Sequence, residues 1–365
     1  MPGAEAGQLR EVVRDFLDER APESEVRRLM GTDPGYDPKT WLRAAEELGL
    51  HGLAVPERLG GSEASPVELG VVFEEMGAAL YGGPFLASIG LASTVLLELG
   101  GEPAERHLTE LTTGRVIGAL AWAGPDPVHS GLSAARHGDR WVLSGTAPVV
   151  IDGATADLLL VAADTGGGIG LFAVPADADG LSRERHTTLD STRSLAALDF
   201  AATPAQPLGL DSGESGPVAG ALRRATDLAI LYLAAEQLGG AARMLAVSVQ
   251  YARTRVQFGR PIGSFQAIKH RCADMLIEVE SARSVVYHGL WTSVHDPANL
   301  SVSAALARAV VSDAYQKVAS ESIQVHGGIG FTWEHPAHLY LKRAKSSQLL
   351  FGHPSRHRAR LAELL

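Results

Sequence analysis

Cysteine is almost missing from this chain: Cys272 is the only one in 365 residues. A disulfide framework and a thiolate metal site are thereby excluded, and a reducing compartment, the cytoplasm, is expected. Long apolar runs are missing too. LLLVAA (Leu158 to Ala163) falls far short of the roughly 20 residues that span a bilayer. The first residues, MPGAEAGQLREVVRDFLDER, alternate acidic and basic groups where a signal peptide needs an apolar stretch. No block of like charge occurs, and Lys+Arg 32 against Asp+Glu 42 leaves a net charge of −10. A nucleic-acid partner and a polybasic membrane anchor are therefore not expected. Histidines gather late in the chain (His326, His335, His338, His353, His357), but no H-E-x-x-H spacing is present, so no metal site is expected.

What is present is ordinary globular composition, 45% hydrophobic and 20% charged, in a chain longer than one compact core usually grows. From Leu9 to Thr113 apolar residues recur at helical spacing, as in Leu9, Val12, Val13, Phe16 and Leu17. The breaks DPGYDP, PERLGG and YGGP carry turn residues. From about Ile117 to Thr203 short alternating runs replace this pattern, RWVLSG, DLLLVAA, GLFAVP and LAALDF, which read as antiparallel strands. The glycines of TGGGIG (Thr165 to Gly170) lie between two such runs with no helix following, so a hairpin loop is expected rather than a nucleotide loop. Helical periodicity returns after GLDSGESGP (Gly209 to Pro217), beginning with one long segment from Val218 to Arg253. An α+β fold is predicted, with domains at 1–116 (helical), 117–208 (an antiparallel β-barrel) and 209–365 (helical).

The chemistry sits in the last third. The long helix runs into Arg255-Val256-Gln257-Phe258-Gly259-Arg260-Pro261-Ile262, and Phe265-Gln266 opens the next helix. Taken alone, a guanidinium and a glycine at a helix corner are commonplace. A second motif, Gln324-Val325-His326-Gly327-Gly328-Ile329-Gly330-Phe331, places side-chain-free residues where a backbone can approach a ligand, or simply where a helix ends.

The string YARTRVQFGRPIGSFQAIKHRCADM, followed by QVHGGIGF, resembles the flavin-binding helical hairpin and Gly-Gly loop of the acyl-CoA dehydrogenase family. LGLHGLAVPERLGG (Leu48 to Gly61) is a weaker match to the family's N-terminal turn. The resemblance implies the family fold: an N-terminal helical domain, a middle β domain and a C-terminal four-helix bundle. It implies FAD as cofactor and an acyl-CoA thioester as substrate. By the same resemblance, Arg255 and Gln257 contact the FAD pyrophosphate, Phe258 packs on the cofactor and Gln266 touches it. Gln324, Gly327 and Gly328 reach the adenosine half of FAD held by a neighbouring subunit. A guanidinium that grips phosphate oxygens bidentately makes chemical sense of Arg255. Two strips that usually hold the flavin ring align with Ala123-Gly124-Pro125 and Val149-Val150-Ile151. Both lack the polar side chains, leaving backbone groups of Ala121 to Pro125 to substitute.

Dehydrogenation between Cα and Cβ needs a base, and general-base assistance is worth on the order of 10²–10⁴ in rate. The two positions where relatives carry the glutamate are Ala229 and Phe351 here. The catalytic residue is thus unassigned by the resemblance. Asp227 and Glu236 stand nearby in sequence, and Glu236, two turns beyond Ala229 on the same helical face, is read either as a relocated base or as a solvated or interface glutamate. His353 is a second relocated-base candidate. GFTWEHPAHLYLKRA (Gly330 to Ala344) and the short tail are similar to the base-lacking β-type subunit of actinobacterial α2β2 steroid side-chain dehydrogenases. Three readings follow: a β-type subunit paired with a base-bearing paralogue, an active homotetramer with a relocated base, or a non-catalytic flavin or acyl-CoA binding protein. An electron-transfer flavoprotein is the acceptor implied for an active enzyme.

Overall fold

The computed structural model describes residues 3–122, 131–213 and 215–365. Helices come first: α1 (Ala4–Arg20), α2 (Glu23–Leu29), α3 (Pro38–Glu46), α4 (Pro66–Ala78), α5 (Thr94–Leu99) and α6 (Glu102–Thr112). The expected breaks are capped as their residues dictate. Asp37 accepts from the backbone N–H of Lys39 and Thr40, with Pro38 at the first helical position of α3. Ser65 and Glu68 close a reciprocal capping box on α4. A π-helix, Leu86–Ser93, was not foreseen. All eight of its residues are buried, and Thr94 Oγ1 donates to Ile89 O five residues back at 3.1 Å, so no amphipathic period betrays it.

Strands follow: β1 (Gly118–Ala121), β2 (Leu132–His137), β3 (Arg140–Ile151), β4 (Leu158–Asp164), β5 (Ile169–Pro175), β6 (Leu181–Arg185) and β7 (Leu195–Leu210). The pairing β4-β2-β3-β7-β5 returns to β4 and so closes on itself, with β1 added to β4 and β6 to β7. The ladders are antiparallel except β1–β4 and a single β2–β4 register, which are parallel. The sheet is therefore mixed where only antiparallel pairing was expected. The glycines after Asp164 do form the β4–β5 hairpin, with Gly166 at φ 77° and its N–H held by Asp164 at 2.8 Å.

The remainder is helical: α7 (Pro217–Thr254), α8 (Gln266–His295), α9 (Leu300–His326), α10 (Ala337–Ser347) and α11 (Pro354–Leu364), with a two-residue ribbon β8 (Val256–Gln257) and β9 (Arg260–Pro261). Among the described residues no helix is long and apolar enough to cross a membrane.

Two compact units share the chain. Leu29–Ala64 with Gly82–Ala229 make one; it holds α3, α5, α6, the sheet and the start of α7. Its core includes a histidine, His51, fully buried with its ring 4.0 Å from Trp41. Met1–Arg28, Ser65–Tyr81 and Ile230–Leu365 make the other. Inside it α4 and α7 touch backbone to backbone. A Cβ on Gly77 would lie 1.9 Å from Glu236 O, and one on Gly239 1.8 Å from Glu74 O, so glycine is obligatory at both. Phe73 stacks on Tyr232 at 5.0 Å beside this crossing.

Candidate functional site

The end of α7 is built as a tight hairpin. Ile262 N donates to Arg255 O at 2.8 Å, and β8 pairs with β9 through Val256–Pro261 and Gln257–Arg260. The turn needs two left-handed residues in succession, Phe258 at φ 52° and Gly259 at φ 76°, which is the geometry of a two-residue hairpin loop. A left-handed phenylalanine is strained by about 1 kcal/mol or more, and its side chain is 90% exposed. Among the described residues its aromatic neighbour is Phe265, 6.1 Å away edge-on. Arg260 lies over Phe265 at 4.2 Å. Arg255, Gln257 and Gln266 are all exposed. An aromatic, a guanidinium and two amides are thus presented outward from a rigid corner.

The second motif closes α9 beside that corner. Ser248 of α7 donates to Ser322 of α9 at 2.9 Å, and the rings of Tyr251 and His326 are 4.6 Å apart. The two helices therefore lie side by side near their ends, Tyr251 standing four residues before Arg255 and His326 one before Gly327. Gly327 takes φ 64° to stop the helix, and a 3₁₀ turn follows over Gly327–Phe331. A methyl added at Gly327 or Gly328 would meet nothing of this chain. Gly327 is required by its dihedral, whereas Gly328 leaves open space that an outside group can enter.

A third arrangement was not foreseen. Arg308 of α9 is wholly buried and donates to Ser347 O at 2.6 Å and Leu350 O at 2.5 Å, with Gln237 and Ser312 as further partners. His357 Nε2 donates to Phe351 O at 2.7 Å. Three carbonyls, one at the end of α10 and two in the α10–α11 connection, are thus clamped, and Phe351 is held at φ 56°. Burial pushes the Arg308 guanidinium down to about 10. A single arginine among small residues, AALARAVV, was the available signal.

Residues 3–115 match the family description "Acyl-CoA dehydrogenase, N-terminal domain", and residues 223–365 match "Acyl-CoA dehydrogenase, C-terminal domain". The Acyl-CoA dehydrogenase IpdE2 of Mycolicibacterium smegmatis is 39% identical over 354 residues, covering 97% of this chain and 96% of that protein. This chain belongs to the acyl-CoA dehydrogenase family. Among solved structures, a variant of the Tcur3481-Tcur3483 steroid ACAD is 31% identical with a TM-score of 0.88, covering 99% of this chain and 97% of that one. The ChsE4-ChsE5 complex from Mycobacterium tuberculosis is 29% identical with a TM-score of 0.90, covering 100% and 97%.

Acyl-CoA dehydrogenases are FAD-dependent, and the donor set at the α7 and α9 ends suits that cofactor: cation and amides for a pyrophosphate, an exposed ring for packing, bare glycines for close approach. The positions that would carry the dehydrogenase's base are otherwise. Ala229 is fully buried, and Phe351 is a half-buried phenylalanine. Glu236 does not take the solvated alternative. It is 7% exposed rather than solvated, and its carboxylate is paired with the buried Arg343 guanidinium at 2.9 Å, which suits a structural anchor rather than a free base. His353 is exposed and caps α11, accepting from Ser355 N through Nδ1. Asp227 is buried at 3% exposure. Of the flavin-ring strips, Ala123 to Pro125 lie outside the described residues. In the other, Val150 and Ile151 are buried, while Val149 is 55% exposed at a bulge in the β3–β7 ladder.

Proposed function

We propose that the chain is the β-type subunit of a heteromeric acyl-CoA dehydrogenase, completing an FAD site while a paralogous chain supplies the carboxylate base. One contrast carries the reading: Arg255, Gln257, Phe258, Gln266, Gln324, Gly327 and Gly328 present an outward flavin-type surface, whereas Ala229 and Phe351 leave both base positions without a proton acceptor. A surface displayed outward suits a cofactor shared across a subunit boundary. The two-chain names of the solved relatives, Tcur3481-Tcur3483 and ChsE4-ChsE5, support the same reading, as does the word steroid in the first of them. We therefore infer a bulky, steroid-type acyl-CoA thioester as substrate, an electron-transfer flavoprotein as acceptor, and domain boundaries at 116 and 208.

In this scheme Arg255 binds pyrophosphate oxygens, Gln257 and Gln266 donate amide hydrogens, and Phe258 shields the cofactor from water. Bound FAD supplies the hydride acceptor for Cβ. The Cα proton goes to the partner's carboxylate, because no described residue of this chain at the base positions can take it.

Expression of the chain alone and with candidate paralogues tests this. The pair should be yellow and dehydrogenate; the isolated chain should show no turnover. Replacing Arg255 by Ala should weaken FAD binding by roughly ten- to a hundredfold. Robust turnover by the isolated chain would overturn the proposal and favour the homotetramer. Bound FAD that no acyl-CoA bleaches in any pairing would favour a non-catalytic binding protein.

A further inference from the structure

The Gln324–Phe331 loop is tied to the start of α10 by imidazoles. His326 is buried, and its Nδ1 lies 2.7 Å from Ser322 O, so Nδ1 carries the hydrogen and Nε2 is bare, with no partner among the described residues. The ring is flanked by Tyr251 at 4.6 Å and by His335 at 4.1 Å. His335 in turn accepts the N–H of Ala337, the first residue of α10, through Nδ1 at 3.2 Å. That contact satisfies one of the unpartnered donors at a helix start. It exists only while His335 Nδ1 is unprotonated.

The surrounding charges do little to favour a cation there. From α2, Glu23 attracts a proton to His335, but its carboxylate is already paired with Arg27 at 2.8 Å, and Arg27 repels. From α10, His338 repels, and Lys342, which bears on His338, lies over the Trp333 ring at 4.8 Å. Glu334 precedes His335 in the chain, and α7 contributes the Tyr251 ring and the Arg243 guanidinium, a further cation, which bears on Tyr340 of α10 and lines one cavity with Glu23 and Pro336. Burial first, then His326, holds His335 down to about 4.

We propose that the His326–His335 stack is an acid-sensitive latch: it fixes the Gln324–Phe331 loop to α10 while both rings are neutral, and protonation of His335 releases the loop and its hold on FAD. The link to FAD rests on the cofactor reading above. The break itself is local. A proton on His335 Nδ1 faces the Ala337 N–H donor to donor, the α10 start loses its acceptor, and Arg27 and His338 repel the new charge.

The test uses the FAD-loaded assembly and His335→Asn, whose side-chain carbonyl can still accept from Ala337 N–H without titrating. Between about pH 7.5 and about pH 4, where His335 takes up its proton, FAD affinity of the wild type should fall roughly tenfold or more, and that of the variant by less than about twofold. Equal pH dependence in both would overturn the latch. His326→Phe, which keeps an aromatic against Tyr251 and His335, provides a second variant if His335→Asn folds poorly; with the repulsion of His326 gone the acid loss should move to higher pH, and an unchanged profile counts against the latch. Hydrogen exchange over residues 327–337, corrected for intrinsic rates, separates latch from cofactor. If no FAD binds at about pH 7.5, the cofactor reading fails, yet acid loss of protection in the wild type and its retention in the variant would still support the latch. Identical loss in both would overturn it.

Discussion

Arg308 is a buried cation whose hydrogen-bond partners are carbonyl, hydroxyl and amide oxygens rather than a carboxylate. The carbonyls at the end of α10 carry the negative end of the helix dipole, which offsets part of its desolvation. Replacing Arg308 by Met should destabilise the fold by about 3 kcal/mol, since two buried carbonyls lose charged donors. Lys should restore part of that loss, and chemical unfolding would measure both. A change under about 0.5 kcal/mol would show that the clamp contributes little. Glu236 poses a sharper residue-scale question because it was a candidate base. Its pairing with Arg343 predicts that Glu236→Ala lowers stability by about 3 kcal/mol by taking a carboxylate from a buried guanidinium. A variant of native stability that has lost turnover would instead restore the relocated-base reading.

At the scale of elements, the α4–α7 crossing depends on glycine. The gaps of 1.9 and 1.8 Å at Gly77 and Gly239 are to backbone, which cannot rotate aside. Gly239→Ala should force the helices apart and destabilise by on the order of 2–3 kcal/mol or more, although alanine is the better helix former. Thermal unfolding of the single variant checks this; a gain in stability would show that the helices slide without loss. The same crossing sits next to a buried ionic cluster. Arg10, Arg283 and the Tyr287 hydroxyl all contact Glu74 at 2.7 Å or less, and Arg10 also holds Glu75. Neither the cluster nor the crossing is visible in sequence, because the cluster draws on three separate helices, α1, α4 and α8, and the crossing on α4 and α7.

For the whole molecule, the histidines decide how it meets acid. His51 is pushed down to about 3 by burial alone, and His326, His335, His338 and His357 are all lowered, burial being the largest cause for each. A histidine whose folded pKa lies below its unfolded value near 6.5 binds more protons when unfolded. Its stabilising contribution is complete above about 6.5 and drains as pH falls toward the folded value, by about 1.4 kcal/mol per unit for each group. Calorimetry should therefore show the unfolding midpoint dropping between about pH 6.5 and about pH 4.5. Glu74, which Arg10 holds below the usual carboxylate range against its burial, adds its loss only below about pH 4.5. A midpoint unchanged down to that pH would contradict the assignment of these rings as neutral.

The order of helices, strands and helices was legible in the sequence because hydrophobic period and turn residues are local properties. So were the turn after α7 and the Gly-Gly stop of α9, where Gly259 and Gly327 suit left-handed dihedrals, although the left-handed Phe258 and the two-residue ribbon were not. The family could be read for the same reason: contiguous strings carry it. The closed ring of strands, the buried π-helix, the Arg308 clamp and the burial of Glu236 were decided only by tertiary structure. Each depends on which distant segment lies opposite, and a glutamate two turns from Ala229 reads alike in sequence whether it faces water or Arg343.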